Sequence, residues 1–381
     1  MIKSKIENYL KKAISENLRT NQRLSAFDAE VFAPENEKFG HYSTNAALKL
    51  AKELKKNPIE IAETIKSKLK KQTKFAGLID KTSVVSPGFI NFWISEQVLN
   101  NELKTILKLK DKYGSSQAGK GKTIIVDYSA PNIAKPMNVG HLRSTLIGQA
   151  LADILCFQGY HVIRDNHIGD WGTQFGALIV AYKKWGDKRE FSKNPIGYLL
   201  RLYIKFHRES EKHDWLLPLA REETRKLQNG DRGNRGLWRI FVKESIKEFN
   251  KIYKRLGIKF DFVLGESFYQ PMLKNVVAEA LRKKVAKKDD GAVKIFYGDN
   301  IPPFVIQKSD GSYLYSTTDL ATIKYRVKKW RPEKILYVVA NEQTLHFEQV
   351  FEAARRLGYV KEGALKHVKF GMILGEPGKK M

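Results

Sequence analysis

A strand, a helix and a second strand follow one another near the middle of the chain, and this pattern limits the possible folds more than any other. Residues 122–128 form a compact β-branched run, Val139–Phe157 has helical spacing and ends before Gly159, and His161–Asn166 reads as another strand. A helix between two strands makes them parallel, with a right-handed crossover. We therefore predict an α/β fold with a Rossmann-like, doubly wound parallel sheet, whose ligands lie beyond the carboxyl ends of the strands.

The chain before this unit has the character of a smaller domain. Helical spacing dominates from Ile2 to about Leu69, and two short runs rich in β-branched and aromatic residues follow at 82–85 and 88–94. We predict a small α+β N-terminal domain over residues 1–110. The polar, Gly-rich segment 111–122 is then a linker.

The chain after this unit predicts insertions into an α/β domain that spans 123–381. Helical patterns fill 182–256, and two β-rich pieces, 292–297 and 304–316, suggest a small hairpin around the Asp310–Gly311 turn. These insertions occupy about 182–316. The sheet then resumes with the strand Lys334–Ala340, a helix through Arg356 and a last strand near 367–373.

The charge of the chain favours a polyanionic partner. The 68 Lys and Arg residues against 41 Asp and Glu give +27, and the excess is spread along the whole sequence. Nucleic acid suits this balance better than an anionic membrane surface, although a Lys-rich proteome would explain the same number. Charge alone does not decide the partner.

Cys156 is the single cysteine, which excludes an internal disulfide and a multi-Cys zinc site. Its apolar helical context predicts a core thiol in a reducing compartment. The N-terminus carries lysines throughout, and no run approaches about 18 uninterrupted apolar residues. We expect a cytoplasmic protein without a membrane association or a protein-bound metal site.

The stretch 127–144, DYSAPNIAKPMNVGHLRS, concentrates chemically useful side chains where a strand leads into a helix. A helix N-terminus offers N–H groups and a positive dipole end to phosphate. Gly140 would allow close approach of a nucleotide, while Lys135 and His141 can donate to charge that develops on a phosphoryl group. The Gly140–His141 pair alone would more often be an ordinary surface histidine at a helix start.

The whole string resembles the ATP-binding signature of class I aminoacyl-tRNA synthetases, H-x-G-H, in the longer form S-x-P-N-x-A-K-x-x-H-x-G-H-L-R-S that is particular to the arginyl-tRNA synthetase family. Asn138 replaces the first histidine of the signature. Asparagine can donate a hydrogen bond to a phosphate oxygen but cannot carry positive charge. The resemblance implies that Lys135, Asn138 and His141 are catalytic, and that all three bind ATP with Gly140.

A second group of residues suits a guanidinium ligand. A planar cation with five donors is best held by carboxylates, helped by hydroxyl and amide groups. Tyr315 and Asp319 are four residues apart and would share a helix face, and Asp127 and Gln343 can complete the pocket. Taken singly, each residue could equally be a solvated charge or a helix cap. In the family these positions hold arginine, and Asn132 contacts its amino-acid end.

Further segments also resemble this family. The loop 165–176, DNHIGDWGTQFG, is one, and 337–351 looks like the part that carries a ribose-binding carboxylate, here Glu342. Residues 367–381 resemble the approach to the second signature, K-M-S-K-S, with Met372 and Lys380 as ATP contacts. In the N-terminal part, Phe89 and Asn91 occupy places that touch the tRNA elbow, where an exposed aromatic and an amide can read an unpaired base.

The resemblance implies an arginine–tRNA ligase that uses ATP with Mg²⁺ to form arginyl-adenylate and then charges tRNA(Arg), acting as a monomer. It also implies a helical anticodon-binding domain, which this sequence does not contain, so a fragment or a short gene product is expected. One alternative is a tRNA- or RNA-binding paralogue without catalysis. Another is a class I synthetase or nucleotidyltransferase of different specificity, although an acidic amino acid would be repelled by the proposed pocket.

Overall fold

The computed structural model describes residues 2–15, 29–298, 301–372, 375–376 and 378, and the chain divides into two compact units, Met1–Ser115 and Ser116–Met381. The α/β fold class is confirmed. Among the described residues, none of the helices combines the length and the apolar character that a bilayer crossing requires.

The first unit packs helices against a small antiparallel sheet. In the described part, the spatial strand order is β1, β3, β2, and the strands are β1 (Tyr42–Thr44), β2 (Ile79–Val85) and β3 (Phe89–Ile94). The helices are α1 (Ile2–Ser15), α2 (Ala46–Leu54), α3 (Pro58–Lys70), α4 (Thr73–Ala76) and α5 (Glu96–Leu109). Asn57 begins α3 by accepting a hydrogen bond from Ile59 N, with Pro58 at the first helical position.

The second unit is built on a parallel sheet. Its strands, together with those of an insertion, are β4 (Thr123–Asp127), β5 (His161–Asn166), β6 (Phe262–Val263), β7 (Ala286–Asp289), β8 (Ala292–Ile295), β9 (Phe304–Gln307), β10 (Lys334–Ala340) and β11 (Leu365–Phe370). In the described ranges the five parallel strands lie in the order β11, β10, β4, β5, β6. The chain order therefore reverses between β4 and β10, which is where a doubly wound sheet opens a crevice for ligands.

Helices cover both faces of this sheet, and separate apolar clusters form the cores on its two sides. They are α6 (Val139–Phe157), α7 (Gln174–Trp185), α8 (Lys188–Lys193), α9 (Pro195–Ser210), α10 (Leu216–Gln228), α11 (Arg232–Leu256), α12 (Glu266–Arg282), α13 (Tyr315–Trp330) and α14 (Thr344–Arg356). The helical insertion predicted at 182–256 corresponds to α8–α11 and the end of α7.

Close packing fixes α6 against the sheet. A Cβ atom added at Gly148 would lie 2.2 Å from the ring of Tyr128, a distance that real side chains do not reach. Small residues fill the same helix face: Ser144, Thr145 and Ala152 are all buried. The absence of a side chain at position 148 therefore sets the distance between α6 and the end of β4.

The two β-rich pieces predicted to form a hairpin do pair, as the antiparallel strands β8 and β9, but the predicted place of the Asp310–Gly311 turn between them is wrong. In the described part β7, β8 and β9 form an antiparallel sheet, and its tight hairpin joins β7 to β8 through Asp290 and Gly291, both with positive φ. The Asp310–Gly311 turn instead leads from β9 toward α13, closed by a bridge between Gln307 and Tyr313. Both turns contain the same Asp-Gly signal, and the sequence does not distinguish them.

The predicted core position of Cys156 is also wrong, because its side chain is exposed. The buried stripe of α6 ends at Ala152, and Cys156 lies one turn further along the helix. There the Arg164 guanidinium donates from Nη2 to the sulfur over 3.5 Å.

Candidate active site

Two clefts open at the carboxyl edge of the parallel sheet. Cleft A, about 410 Å³, lies at the reversal point between β4 and β10 and is lined by the ends of β4, β10 and β11 and by the start of α6. Cleft B, about 920 Å³, is lined by Asn132, the loop 171–174, α11, the first turn of α12 and the segment before α13. Both therefore lie where the sequence predicted ligands.

Asn138 and His141 form a reciprocal cap at the start of α6, in cleft A. The Asn138 Oδ1 accepts from the His141 backbone N–H at 3.1 Å, and the His141 Nδ1 accepts from the Asn138 N–H at 3.1 Å. Because Nδ1 is an acceptor, a neutral ring carries its proton on Nε2. Burial lowers the pKa of His141, which favours that neutral form. His141 can therefore donate to an anion in cleft A without being charged.

Asp127 ends β4 on the floor of cleft A and is already paired with a guanidinium. Arg326, fully buried on α13, places Nη2 2.7 Å from Asp127 and 2.9 Å from Asp165 at the end of β5. Burial opposes the charge on Arg326, but the attraction of both carboxylates outweighs it and holds its pKa well above the usual value. Burial raises the pKa of Asp165 despite the attraction of Arg326.

Tyr315 and Asp319 lie on the first turns of α13, as their spacing predicted, and both face His346 on α14. The His346 Nε2 is 2.7 Å from the Asp319 Oδ2, and the rings of Tyr315 and His346 have centroids 5.0 Å apart. Asp319 is half-buried, whereas Tyr315 is 63% exposed. The sequence did not identify His346, because one histidine in an amphipathic helix has many ordinary roles.

Asn132 reaches cleft B because Gly169 leaves room for it. Two backbone hydrogen bonds join Gly169 to the residues on either side of Asn132. The Ile133 N–H donates to the Gly169 carbonyl, and the Gly169 N–H donates to the Pro131 carbonyl, both at 3.1 Å. A Cβ at position 169 would lie 2.2 Å from the Asn132 Oδ1. The Gly-rich loop that the sequence singled out therefore positions a side chain from the preceding motif.

Glu266, in the first turn of α12, lines cleft B together with Asn132 and Tyr315. Burial raises its pKa to about 7, helped by the negative charges of Asp319 and Asp170 and opposed by His167. Sequence reasoning missed this residue, since an acidic first turn is ordinary in helices. Its burial in a cleft and its raised pKa, and not its place in the sequence, identify it as a candidate site residue.

The other predicted residues fall into three groups. Gly140, Glu342, Gln343 and Met372 line cleft A. Lys135 lines neither cleft, and its ammonium lies 4.9 Å from the ring centroid of Tyr203 in the helical insertion. Lys380 lies outside the described residues.

In the first unit, Asn91, which the resemblance places at the tRNA elbow, is an interior residue. Asn91 is 2% exposed, and its Oδ1 accepts a hydrogen bond from the Ser43 hydroxyl at 2.7 Å across the sheet. Phe89 is half-buried, edge-on to Phe32 with ring centroids 6.4 Å apart. The two residues share one face of β3, and Phe89, at the first position of the strand, is the more accessible of the two.

Carboxylates concentrate on this edge of a strongly cationic chain. Asp127 and Asp165 share Arg326, while Asp319 and Asp170 both act electrostatically on Glu266. Arg326 pairs with the first two, while Arg143 lines cleft A and Arg235, Arg239 and Lys308 line cleft B. The carboxylates at this edge can hold a cationic ligand, and the start of α6 can face an anion.

Comparison with known proteins gives a consistent result. Residues 102–381 match the catalytic domain of class I (R) tRNA synthetases, and residues 1–94 match the arginyl tRNA synthetase N-terminal domain. An arginine–tRNA ligase of Fusobacterium nucleatum is 44% identical over 94% of this chain and 61% of its own length, and one of Clostridium botulinum is 42% identical over 95% and 64%. The chain thus spans less than two thirds of these relatives.

A solved structure agrees. The arginyl-tRNA synthetase of Plasmodium falciparum superimposes with a TM-score of 0.79 at 31% identity, covering 99% of this chain and 66% of that one. With two family domains matched along most of its length, this chain belongs to the class I arginyl-tRNA synthetase family.

Proposed function

We propose that the chain acts as an arginine–tRNA ligase, activating L-arginine with MgATP and transferring it to the 3′ end of tRNA(Arg) in the cytoplasm. The observation that carries this proposal is the acidic edge around Asp127, Asp319 and Glu266 beside the capped start of α6. A cationic amino acid and a polyanionic nucleotide need these opposite environments side by side. The names and domain matches of the relatives support the same assignment.

Cleft A is the proposed nucleotide site. The start of α6 directs its dipole toward the phosphates, and the His141 Nε2–H and the Asn138 amide nitrogen donate to phosphate oxygens. Gly140 has no side chain, so a nucleotide can approach the first turn of α6 closely. A Cβ atom there would lie 3.2 Å from the Asn138 Oδ1. Glu342 is proposed to bind the ribose and Met372 the base, both from the opposite wall. Lys380 stays a predicted ATP contact.

The arginine site is proposed to bridge the two clefts. Asn132 and Glu266 in cleft B hold the amino-acid end, where a carboxylate with a pKa of about 7 can pair with the substrate ammonium. Asp319, oriented by His346, and Tyr315 accept from the guanidinium. Asp127 and Gln343 complete the pocket from cleft A.

In the first step, a carboxylate oxygen of arginine attacks the α-phosphorus of MgATP. The bond from that phosphorus to the bridging oxygen breaks, which releases pyrophosphate and leaves arginyl-adenylate. In the second step, a ribose hydroxyl oxygen of the terminal adenosine attacks the carbonyl carbon, AMP leaves, and the hydroxyl proton passes to AMP or solvent. No covalent enzyme intermediate is needed, because the protein supplies positioning and charge.

Lys135 requires a movement to take part. Its side chain is exposed, and its ammonium rests over Tyr203. A cation–π contact at an exposed site is worth about 0.5–1 kcal/mol, so a triphosphate can attract this lysine away from the ring. We propose that Lys135 then contributes the positive charge that Asn138 lacks.

For the tRNA, the first unit supplies Phe89 as the proposed base-stacking residue, and the net charge of +27 supplies attraction to the phosphates. A monomer is proposed to be the active form. The chain covers less than two thirds of the length of its relatives. The complete aminoacylation reaction is therefore proposed for this chain together with the regions of the relatives that it does not cover.

The decisive experiment is arginine-dependent ATP–pyrophosphate exchange with and without tRNA(Arg), with lysine and citrulline as matched amino acids. We expect exchange with arginine, strengthened by tRNA, and none with citrulline. Exchange that is equal for arginine and citrulline would overturn the assignment of substrate.

The position of Lys135 away from cleft A favours a second candidate, an RNA-binding protein without catalysis. That candidate predicts salt-sensitive tRNA binding with no exchange, even when tRNA is saturating.

A further inference from the structure

We propose that Arg326 is a positioning and specificity-determining residue: it keeps Asp127 ionised next to Asp165, so that the one carboxylate of this cluster that faces cleft A can accept a substrate guanidinium. This inference rests on the proposed function, because it concerns how the same site recognises arginine. Arg326 contacts Asp127 and Asp165, and it does not line either cleft.

The first step of the argument is the geometry of the cluster. Asp127 and Asp165 are opposite each other in the register of β4 and β5, at the last residue of β4. A single guanidinium reaches both: Nη2 is 2.7 Å from Asp127 and 2.9 Å from Asp165, and Nε is 3.1 Å from Asp165. Two carboxylates this close in a buried site cannot both stay ionised unless a cation lies between them.

The second step is the charge. With both carboxylates ionised and Arg326 protonated, the cluster has a net charge of −1. Without Arg326, the two carboxylates would share one proton, so the net charge would stay at −1 but Asp127 would spend part of its time neutral. A neutral carboxyl can donate a hydrogen bond, so it would accept an uncharged ureido group as readily as a guanidinium.

The third step is the burial. Arg326 is 0% exposed, Asp165 is also 0% exposed, and Asp127 keeps 5%, facing cleft A. The guanidinium also lies over the ring of Tyr337, with 5.5 Å from its central carbon to the ring centroid. Only Asp127 of this cluster lines a cleft, so Arg326 acts on the substrate through Asp127.

The experiment compares the affinities of the chain for L-arginine and L-citrulline by calorimetry, in the unaltered protein, three variants of the cluster and one control variant. Citrulline has the shape of arginine but no charge, so the affinity ratio reports the charge that the site presents. Arg326→Met should lower the ratio by about twofold or more, since a proton shared between the two carboxylates leaves Asp127 neutral for a large part of the time. Arg326→Lys, which keeps the charge but loses the fork, should retain most of the ratio with weaker binding of both ligands.

The third variant separates charge from structure. Asp165→Asn combined with Arg326→Met removes still more native hydrogen bonds, but it leaves Asp127 without a second carboxylate to share a proton, so Asp127 is ionised again. The charge role predicts that this double variant recovers the ratio, whereas a purely structural role predicts that it is worse than Arg326→Met alone. The matched control is Lys324→Met, on the same helix, which breaks an ion pair with Glu279 outside the cluster and should leave the ratio unchanged.

If Arg326→Met does not fold, Arg326→Gln, which keeps an amide donor but carries no charge, replaces it in the single and the double variant. A ratio that stays at the unaltered value in Arg326→Met, or a double variant with a lower ratio than the single one, would overturn the inference while leaving the proposed function intact. An unaltered chain that fails to prefer arginine over citrulline would overturn both.

Discussion

Asn138 and His141 hold each other at the start of α6, each accepting a hydrogen bond from the backbone N–H of the other at 3.1 Å. The side chain that replaces the first histidine of the family signature is thus a helix cap as well as a candidate phosphate donor. These two roles can be separated by substitution, because capping needs an acceptor and phosphate binding needs a donor.

Asn138→Asp should leave stability nearly unchanged and weaken ATP binding. Aspartate caps a helix as well as asparagine does, but it brings a negative charge to the proposed phosphate site and loses the amide donor. We expect the KM for ATP to rise about tenfold or more, with little change in the KM for arginine. Thermal unfolding and steady-state exchange measure the two effects. An unchanged KM for ATP would remove Asn138 from the nucleotide site.

Asn138→His should keep or raise the rate of arginine activation. A histidine restores a side chain that can carry positive charge toward the phosphates, although losing the cap costs about 1 kcal/mol of stability. Single-turnover adenylate formation at saturating substrates checks the prediction at a temperature where both proteins are folded. A clear fall in that rate would contradict it.

Glu266→Gln should make the chain more stable at pH 8 and change little at pH 5. The pKa of Glu266 rises from an ordinary 4.5 to about 7 on folding, so the stabilisation it contributes is present below pH 4.5 and is lost as pH rises through 7. Glutamine stays neutral and avoids that loss, a gain of no more than about 3 kcal/mol. Denaturant unfolding of both proteins at the two pH values isolates this residue, because other titrating groups cancel. A variant that is less stable at pH 8 would refute the shift.

Lys135→Ala should lower arginine activation by about tenfold or more while stability stays within about 0.5 kcal/mol, because the side chain is exposed. The matched control is Lys205→Ala, which removes a similar lysine from the ring of Trp185 in the helical insertion. Exchange rates of the two variants are compared at saturating tRNA. Equal rates in Lys135→Ala and the unaltered chain would exclude Lys135 from catalysis.

Gly169→Ala should raise the KM for arginine more than that for ATP. Its new methyl group would collide with the Asn132 Oδ1 and displace the side chain proposed to hold the amino-acid end. A shift of this kind costs about tenfold or more. Gly236→Ala on α11, with open space around the new atom, is the control and should stabilise its helix slightly. An arginine KM equal in both variants would contradict the role of Asn132.

The parallel core could be predicted from sequence because strand and helix periods alternate there without ambiguity. The predicted bounds of α6, β5 and β10 agree with the structure. The hairpin could not be placed, since Asp290–Gly291 and Asp310–Gly311 send the same turn signal and only strand pairing distinguishes them.

The site was predictable where a motif is local and unpredictable where it depends on packing. The start of α6 and the pair Tyr315–Asp319 lie on short segments, and their spacing locates them. Arg326 and Glu266 have no such signal, because what distinguishes them is the burial and charge that distant segments bring together. Asn91 shows the same limit. It was a candidate for contact with tRNA, but its side chain is buried and accepts a hydrogen bond from Ser43.

Gly148 carries no functional group, yet it governs the distance on which this site depends. The Tyr128 ring occupies the space that a Cβ atom at Gly148 would need. The helix α6 therefore packs closer to the end of β4 than a larger residue at this position would allow. A methyl group there would push the helix outward as a rigid rod, and the start of α6 would withdraw from the carboxylate of Asp127. The distance between the proposed phosphate site and the proposed guanidinium site is therefore set by a residue that lines neither cleft.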